Sequence, residues 1–161
     1  MSLFIAALCH DVQHDGFNNA YHKTTQSTLF HMFGDQAIQE NNHAAQTLQL
    51  LENADFDFLS ARNKPAETRI IKKRIIESIL FTDMASMNTL RQNFQEHLDK
   101  NGIKNGENQD KIIDKTSRLT EEKSKQLMTS VILHSCDIST SLRDFDTSTK
   151  WADLLFEEFF H

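Results

Sequence analysis

Apolar residues in this chain return every three to four positions and nowhere convincingly every second one, a spacing that confines it to helices. From Gln36 to Glu52, the residues Ala37, Ile38, Ala44, Ala45, Leu48, Leu50 and Leu51 fall broadly on one face. Pro65 suits the first turn of the next helix, where its missing N–H leaves no bond unmade. Ile70, Ile71, Ile75, Ile76, Ile79 and Leu80 follow at helical spacing, with Lys72, Lys73, Arg74 and Glu77 between them. This two-faced helix is expected to continue past Met84 towards His97. Residues 99–119 are rich in Asn, Lys, Asp and Gly and read as a surface loop. A further helix is expected over Glu121–Cys136, with Leu127, Val131 and Leu133 in the core. Ser139–Ser148 reads as irregular. Trp151, Leu154, Leu155, Phe159 and Phe160 then mark a last amphipathic helix whose aromatic residues, Phe156 among them, are expected in the core. Leu3–His10 already looks like the middle of a buried helix, and the last helix runs to His161 without a cap. Residues 1–161 are therefore expected to form one all-α, multi-helix domain, incomplete at both ends.

Composition narrows the function. With 17 basic against 23 acidic residues and a formal net charge of −6, the chain lacks the clustered cationic excess that a phosphate backbone demands, so no nucleic-acid partner is expected. Two cysteines cannot build a disulfide scaffold, and a reducing, cytoplasmic (intracellular) setting is expected. No apolar run approaches the roughly 20 residues of a membrane span.

Chemistry-bearing side chains gather in clusters. In His10-Asp11-Val12-Gln13-His14, a helix would put both histidines on one face with Asp11 beside them, a nitrogen and oxygen donor set suited to Zn²⁺, Fe²⁺ or Mn²⁺. The same residues could equally decorate a surface. Glu40 and His43 share a helix face, which also describes a solvated one. Thr82-Asp83-Met84 interrupts the isoleucine-rich helix. Asp137 follows an apolar run and would be buried, a position that requires a partner or a metal; alternatively it caps the next turn.

Together, and in this order, the clusters resemble the class I 3',5'-cyclic nucleotide phosphodiesterases. Ile5–Gly16 with Asn19 is similar to that family's His-Asp-x-x-His-x-Gly-x-x-Asn motif, and Glu40-Asn41-x-His43 follows at about the family's separation. Ile79–Met84 is similar to its apolar-Thr-Asp-Met segment. Leu133–Ser139 is similar to its His-x-x-Asp-[Leu/Ile]-Ser segment, and Trp151 with Phe156–Phe160 to its Trp…Glu-Glu-Phe-Phe helix. The resemblance covers nearly the whole chain and implies the middle part of an HD-type catalytic domain.

The resemblance further implies two divalent ions, zinc and magnesium (or manganese), and a cyclic nucleotide substrate, cAMP or cGMP. His10, Asp11 and Asp137 would hold the tighter ion, and Asp11 would reach the second. His14, Glu40 and Thr82 would hold the waters around the second ion, and His43 joins this catalytic group. Asn19 and Thr140 are assigned to substrate, and Asp83 to structure. The full-length protein is expected to form a homodimer. The family's His-Asn-x-x-His-Ala segment, which carries a general acid and one more ligand, does not occur in these residues. The alternative to turnover is thus a truncated or degenerate paralogue acting as a metal-binding or interaction module. The Glu-Asn-x-x-His, Thr-Asp-Met and Glu-Glu-Phe-Phe segments argue against other HD-type phosphohydrolases.

Overall fold

Pro65 opens the helix on which the rest is assembled. A computed structural model describes residues 1–53, 55–103 and 121–160. Its helices are α1 (Ser2–Cys9), α2 (Asn19–Thr25), α3 (Thr28–Phe33), α4 (Ile38–Glu52), α5 (Phe58–Arg62), α6 (Pro65–Leu80), α7 (Met87–Lys100), α8 (Glu122–Asp137) and α9 (Phe145–Phe160). Short 3₁₀ turns occupy Met84–Ser86 and Ile138–Leu142. Among the described residues there is no strand, and no helix is long and apolar enough to cross a membrane.

At its N-terminus, α6 is closed by the Glu67 carboxylate, which accepts the Lys64 N–H at 3.3 Å. It packs against α1, α4 and α8. Its isoleucine stripe meets Ala6 of α1, Ala44 and Leu51 of α4, Leu59 of α5 and Leu133 of α8 in one cluster, where Ile75 and Ile79 are fully buried. Between α6 and α8 runs a polar seam. Ser78 and Ser130 are fully buried. The Gln126 side-chain amide donates to Ser130 Oγ (3.2 Å), Ser78 Oγ (3.3 Å) and the Arg74 carbonyl (3.4 Å). At its outer end the Arg74 guanidinium pairs with Glu122.

The long helix expected to reach His97 is instead broken after Leu80. Both the N–H and the hydroxyl of Thr82 bond the Ile79 carbonyl, at 2.9 and 2.7 Å, which turns the chain out of the helix. Asp83 then accepts the Ala85 N–H at 3.0 Å, and α7 begins afresh at Met87. Because α7 runs to Lys100, the expected loop starts later than residue 99, and its residues 104–119 lie outside those described. The irregular Ser139–Ser148 segment proves largely helical, because Asp144 caps α9 through the Thr147 N–H at 2.9 Å and so starts that helix at Phe145.

Two burial expectations also change. In α1, Ala6 is buried while Phe4 and Leu8 are exposed, so that helix has only one core face. Trp151, Phe156, Phe159 and Phe160 are not core: Trp151 is 51% exposed and Phe160 82%. The reason is that α9 packs along the 3₁₀ turn 138–142 with its apolar face turned outward.

Candidate metal centre

At His10 the first helix ends, and the chain bends through a turn in which the Val12 N–H bonds the Cys9 carbonyl and the His14 N–H bonds the Asp11 carbonyl, both at 3.1 Å. The bend is completed by positive φ at Gln13 (59°) and Gly16 (87°). His10 and His14 therefore do not share a helix face, contrary to expectation. The bend brings Asp11 round beside His10 instead, and α8 delivers Asp137 from 127 residues away.

His10 Nδ1 donates to the Ala7 carbonyl at 2.9 Å, which fixes the ring and leaves Nε2 to face the site. Nε2 lies 3.2 Å from Asp11 Oδ2 and 3.1 Å from Asp137 Oδ1. Ligand atoms of these three residues all fall within 4.8 Å of one another, an N/O/O set of the kind that holds a divalent cation. A fixed tautomer with its free nitrogen between two carboxylates fits such an ion.

Without an ion, the two carboxylates act on the imidazole instead. Asp11 first and Asp137 second raise the His10 pKa to about 10, and His10 in turn holds Asp11 below its ordinary value. Because folding raises this pKa, the metal-free stabilisation is full below about pH 6.5 and is lost as pH climbs through about 10. A metal must displace that proton. Binding at pH 7 is therefore expected to release about one proton, and apparent affinity to rise ~10-fold per pH unit from 7 to 9. Calorimetry in buffers of differing ionisation enthalpy reads both. An affinity flat with pH would contradict the assignment.

The remaining candidates surround this trio. His43 is buried and donates Nδ1–H to the Val12 carbonyl at 2.7 Å, so its Nε2 turns to Asp11 Oδ1 at 4.0 Å. Burial pushes its pKa down. His14 stacks on His43 with ring centres 5.6 Å apart, accepts the Gly16 N–H on Nδ1 at 3.0 Å, and sets Nε2 3.7 Å from Glu158 Oε1 of α9. Glu40, in the first turn of α4, has its pKa raised by burial, with Asp83 and Asp11 adding repulsion. Asn19 braces it: the side-chain amide donates to Glu40 Oε2 at 2.9 Å and its oxygen accepts the Gln39 N–H at 2.8 Å. Thr82 is buried with its hydroxyl on the Ile79 carbonyl. Thr140 lies half-buried in the turn just past Asp137, its carbonyl accepting Ser148 Oγ at 2.8 Å.

Sequence reasoning missed a second polar group behind the site, formed by Asp15, His22, Ser27 and Gln39. It also missed α2, α3 and α5, whose signal was present in their capping residues. Asn18, Ser27 and Asp57 accept the N–H groups of Tyr21, Phe30 and Ser60.

The chain is similar to known proteins along its whole length. The 3'5'-cyclic nucleotide phosphodiesterase family model matches residues 1–161. The chain is 29% identical over 161 residues to the cGMP-specific 3',5'-cGMP phosphodiesterase 3 of Dictyostelium discoideum, covering 100% of this chain and 31% of that protein. It is 32% identical over 160 residues to the dual specificity calcium/calmodulin-dependent 3',5'-cyclic nucleotide phosphodiesterase 1 of Drosophila melanogaster, covering 97% of this chain and 16% of that one. Among solved structures, the phosphodiesterase domain of the RhoPDE fusion protein from the choanoflagellate Salpingoeca rosetta superposes with a TM-score of 0.80 at 25% identity, over 98% of this chain and 45% of that one. The chain thus spans less than a third of the length of these curated relatives.

Proposed function

The chain belongs to the 3'5'-cyclic nucleotide phosphodiesterase family, and from that premise we propose that it forms the metal-holding part of a catalytic domain that hydrolyses cAMP or cGMP to the 5'-monophosphate. The observation that carries the reading is the convergence of His10, Asp11 and Asp137 within 4.8 Å. Bound divalent ions, zinc and magnesium or manganese, supply Lewis-acid polarisation of the phosphodiester and an acidified water.

The chain's own residues do the rest. His10 Nε2, Asp11 and Asp137 would hold the tighter ion. Asp11 presents Oδ2 to His10 and Oδ1 towards His43, so it offers an oxygen to each side of the site. Glu40, His14 and Thr82 would orient water around the second ion, and Asn19 keeps Glu40 in place through its amide. Neutral His43 presents Nε2 to the same space. In the overall reaction, water oxygen bonds to phosphorus, the bond from phosphorus to the 3'-oxygen breaks, and that oxygen takes a proton. In the family, the His-Asn-x-x-His-Ala segment carries the acid that gives this proton and one further ligand, so the residues here account for three ligands of the tighter ion and for the groups around the second. A cytoplasmic setting and a homodimer of the full-length protein belong to the same proposal.

The test is hydrolysis of cAMP and cGMP by the purified chain with Mn²⁺, or with Mg²⁺ and trace Zn²⁺, the 5'-monophosphate being measured by chromatography. On this reading any turnover disappears in Asp137→Ala. Turnover that survives in Asp137→Ala would sink the site assignment. A second reading, a metal-binding interaction module without catalysis, is favoured by the exposed apolar face of α9. It predicts Asp137-dependent metal binding with no product.

A further inference from the structure

Behind the loop that leaves the metal trio lies a buried polar array to which none of the ligands belongs. His22 and Gln39 are 2% and 3% exposed. Asp15 Oδ1 accepts Gln39 Nε2–H at 2.6 Å and the Phe17 N–H at 3.2 Å, and faces His22 Nε2 at 3.3 Å. The second amide hydrogen of Gln39 goes to the Phe17 carbonyl at 2.7 Å. Gln39 Nε2 also lies 3.1 Å from His22 Nε2, so Asp15, His22 and Gln39 close into one buried polar cluster. His22 Nδ1 and Ser27 Oγ share a hydrogen bond of 2.9 Å, and Ser27 Oγ accepts the Phe30 N–H at 3.3 Å. Phe30, Ser27, His22 and Asp15 are thus joined in one continuous hydrogen-bonded series, in which neighbouring bonds polarise one another.

The array joins two pieces of the site. Asp15 and Phe17 belong to the loop that carries Asp11 and His14. Gln39 opens α4, donates its backbone N–H to Asn19, and precedes Glu40. The loop contains Gln13 at φ 59°, a conformation that a non-glycine residue keeps only where its surroundings impose it.

We propose that His22 is a positioning residue: with Asp15 and Gln39 it locks residues 11–19 against the start of α4, so that Asp11, His14 and Glu40 hold their mutual places at the metal site. The proposal rests on the metal reading above.

The experiment is Mn²⁺ titration of the 161-residue chain followed by electron paramagnetic resonance, beside thermal melts in chelator. His22→Phe keeps the ring's bulk and removes its hydrogen bonds. Its Mn²⁺ affinity is expected to fall ~10-fold, as for other residues that orient ligands. His22→Gln, whose amide can still donate to Asp15, is expected to recover most of that loss. If His22→Phe melts earlier yet binds Mn²⁺ like the parent, or if His22→Gln recovers nothing, the proposal is overturned. Should His22→Phe fail to fold, Asp15→Asn decides by the same ~10-fold loss or its absence. A parent that binds no Mn²⁺, or an Asp137→Ala variant that binds as the parent does, would sink the metal reading and this inference together. Binding lost in Asp137→Ala but intact in His22→Phe would sink this inference alone.

Discussion

Asp137→Ala is expected to lower Zn²⁺ affinity by ~100-fold or more while the metal-free chain stays folded. Removing a residue that merely orients a ligand costs 10–100-fold, and in the proposed site Asp137 would supply a ligand atom itself. Its side chain is 30% exposed, so the substitution opens no core cavity. The carboxylate also closes α8 at the negative end of the helix dipole, where an anion is unfavourable. Its truncation therefore relieves one unfavourable interaction as it removes the pairing with His10, and the His10 pKa should fall, because Asp137 is the second-largest contributor to its rise. Competition against a fluorescent chelator measures the affinity. A loss under threefold would show that Asp137 pairs with His10 without ligating. Asp11→Ala is expected to lose at least as much, since Asp11 neighbours both His10 and His43.

Ile79→Ala is expected to be among the most damaging single truncations of stability. Ile79 is fully buried in the cluster that unites α1, α4, α5, α6 and α8. Truncating such a residue removes transfer energy and leaves a cavity, about 2–5 kcal/mol together. That is a large share of the roughly 5–15 kcal/mol that holds a domain folded. For a chain of this size the melting midpoint should fall by roughly 4–20 °C. Ile70 stands on the same helix but is 42% exposed, and Ile70→Ala should change stability by no more than about 0.5 kcal/mol. Equal losses at the two positions would contradict the burial pattern. Circular dichroism melts in chelator measure both without a contribution from bound metal.

These two residues mark the two ways in which the sequence was legible. The stripe that contains Ile79 follows directly from helical period, α4 and α8 emerge close to their expected bounds, and α6 starts at the expected Pro65. Asp137, by contrast, could not be assigned by its own surroundings in the chain, where a cap was as good an explanation as a ligand. Only the ordered resemblance of several segments joined it to His10. Errors arose where a polar side chain outcompeted the helix. Thr82 takes the Ile79 carbonyl and ends α6 inside what looked like one long helix. The bend after Cys9 has neither glycine nor proline to announce it until Gly16, and Gln13 takes the left-handed conformation instead. The Asp15–Gln39 contact spans 24 positions, and no local pattern foretells such a bond. The aromatic residues of α9 were misplaced for a related reason. Periodicity shows that a helix has an apolar face but not what that face meets.

The polar seam between α6 and α8 has a consequence for the metal trio. Two helices joined only by aliphatic side chains can slide along each other with little penalty, because one methyl group replaces another. Ser78, Ser130 and Gln126 do not permit this. A shift of one helical turn, about 5.4 Å, would break the bonds from Gln126 to Ser78 Oγ and the Arg74 carbonyl and the 3.5 Å bond from Ser130 to Ser78, as happens when the lone polar residue of a coiled coil is forced out of step. The seam therefore acts as a detent that gives α8 one axial setting. Asp137 sits at the end of that helix, 3.1 Å from His10, and one turn of slip exceeds that separation. The serines and the glutamine thus gauge the distance between two prospective ligands from well over a turn away, without approaching either.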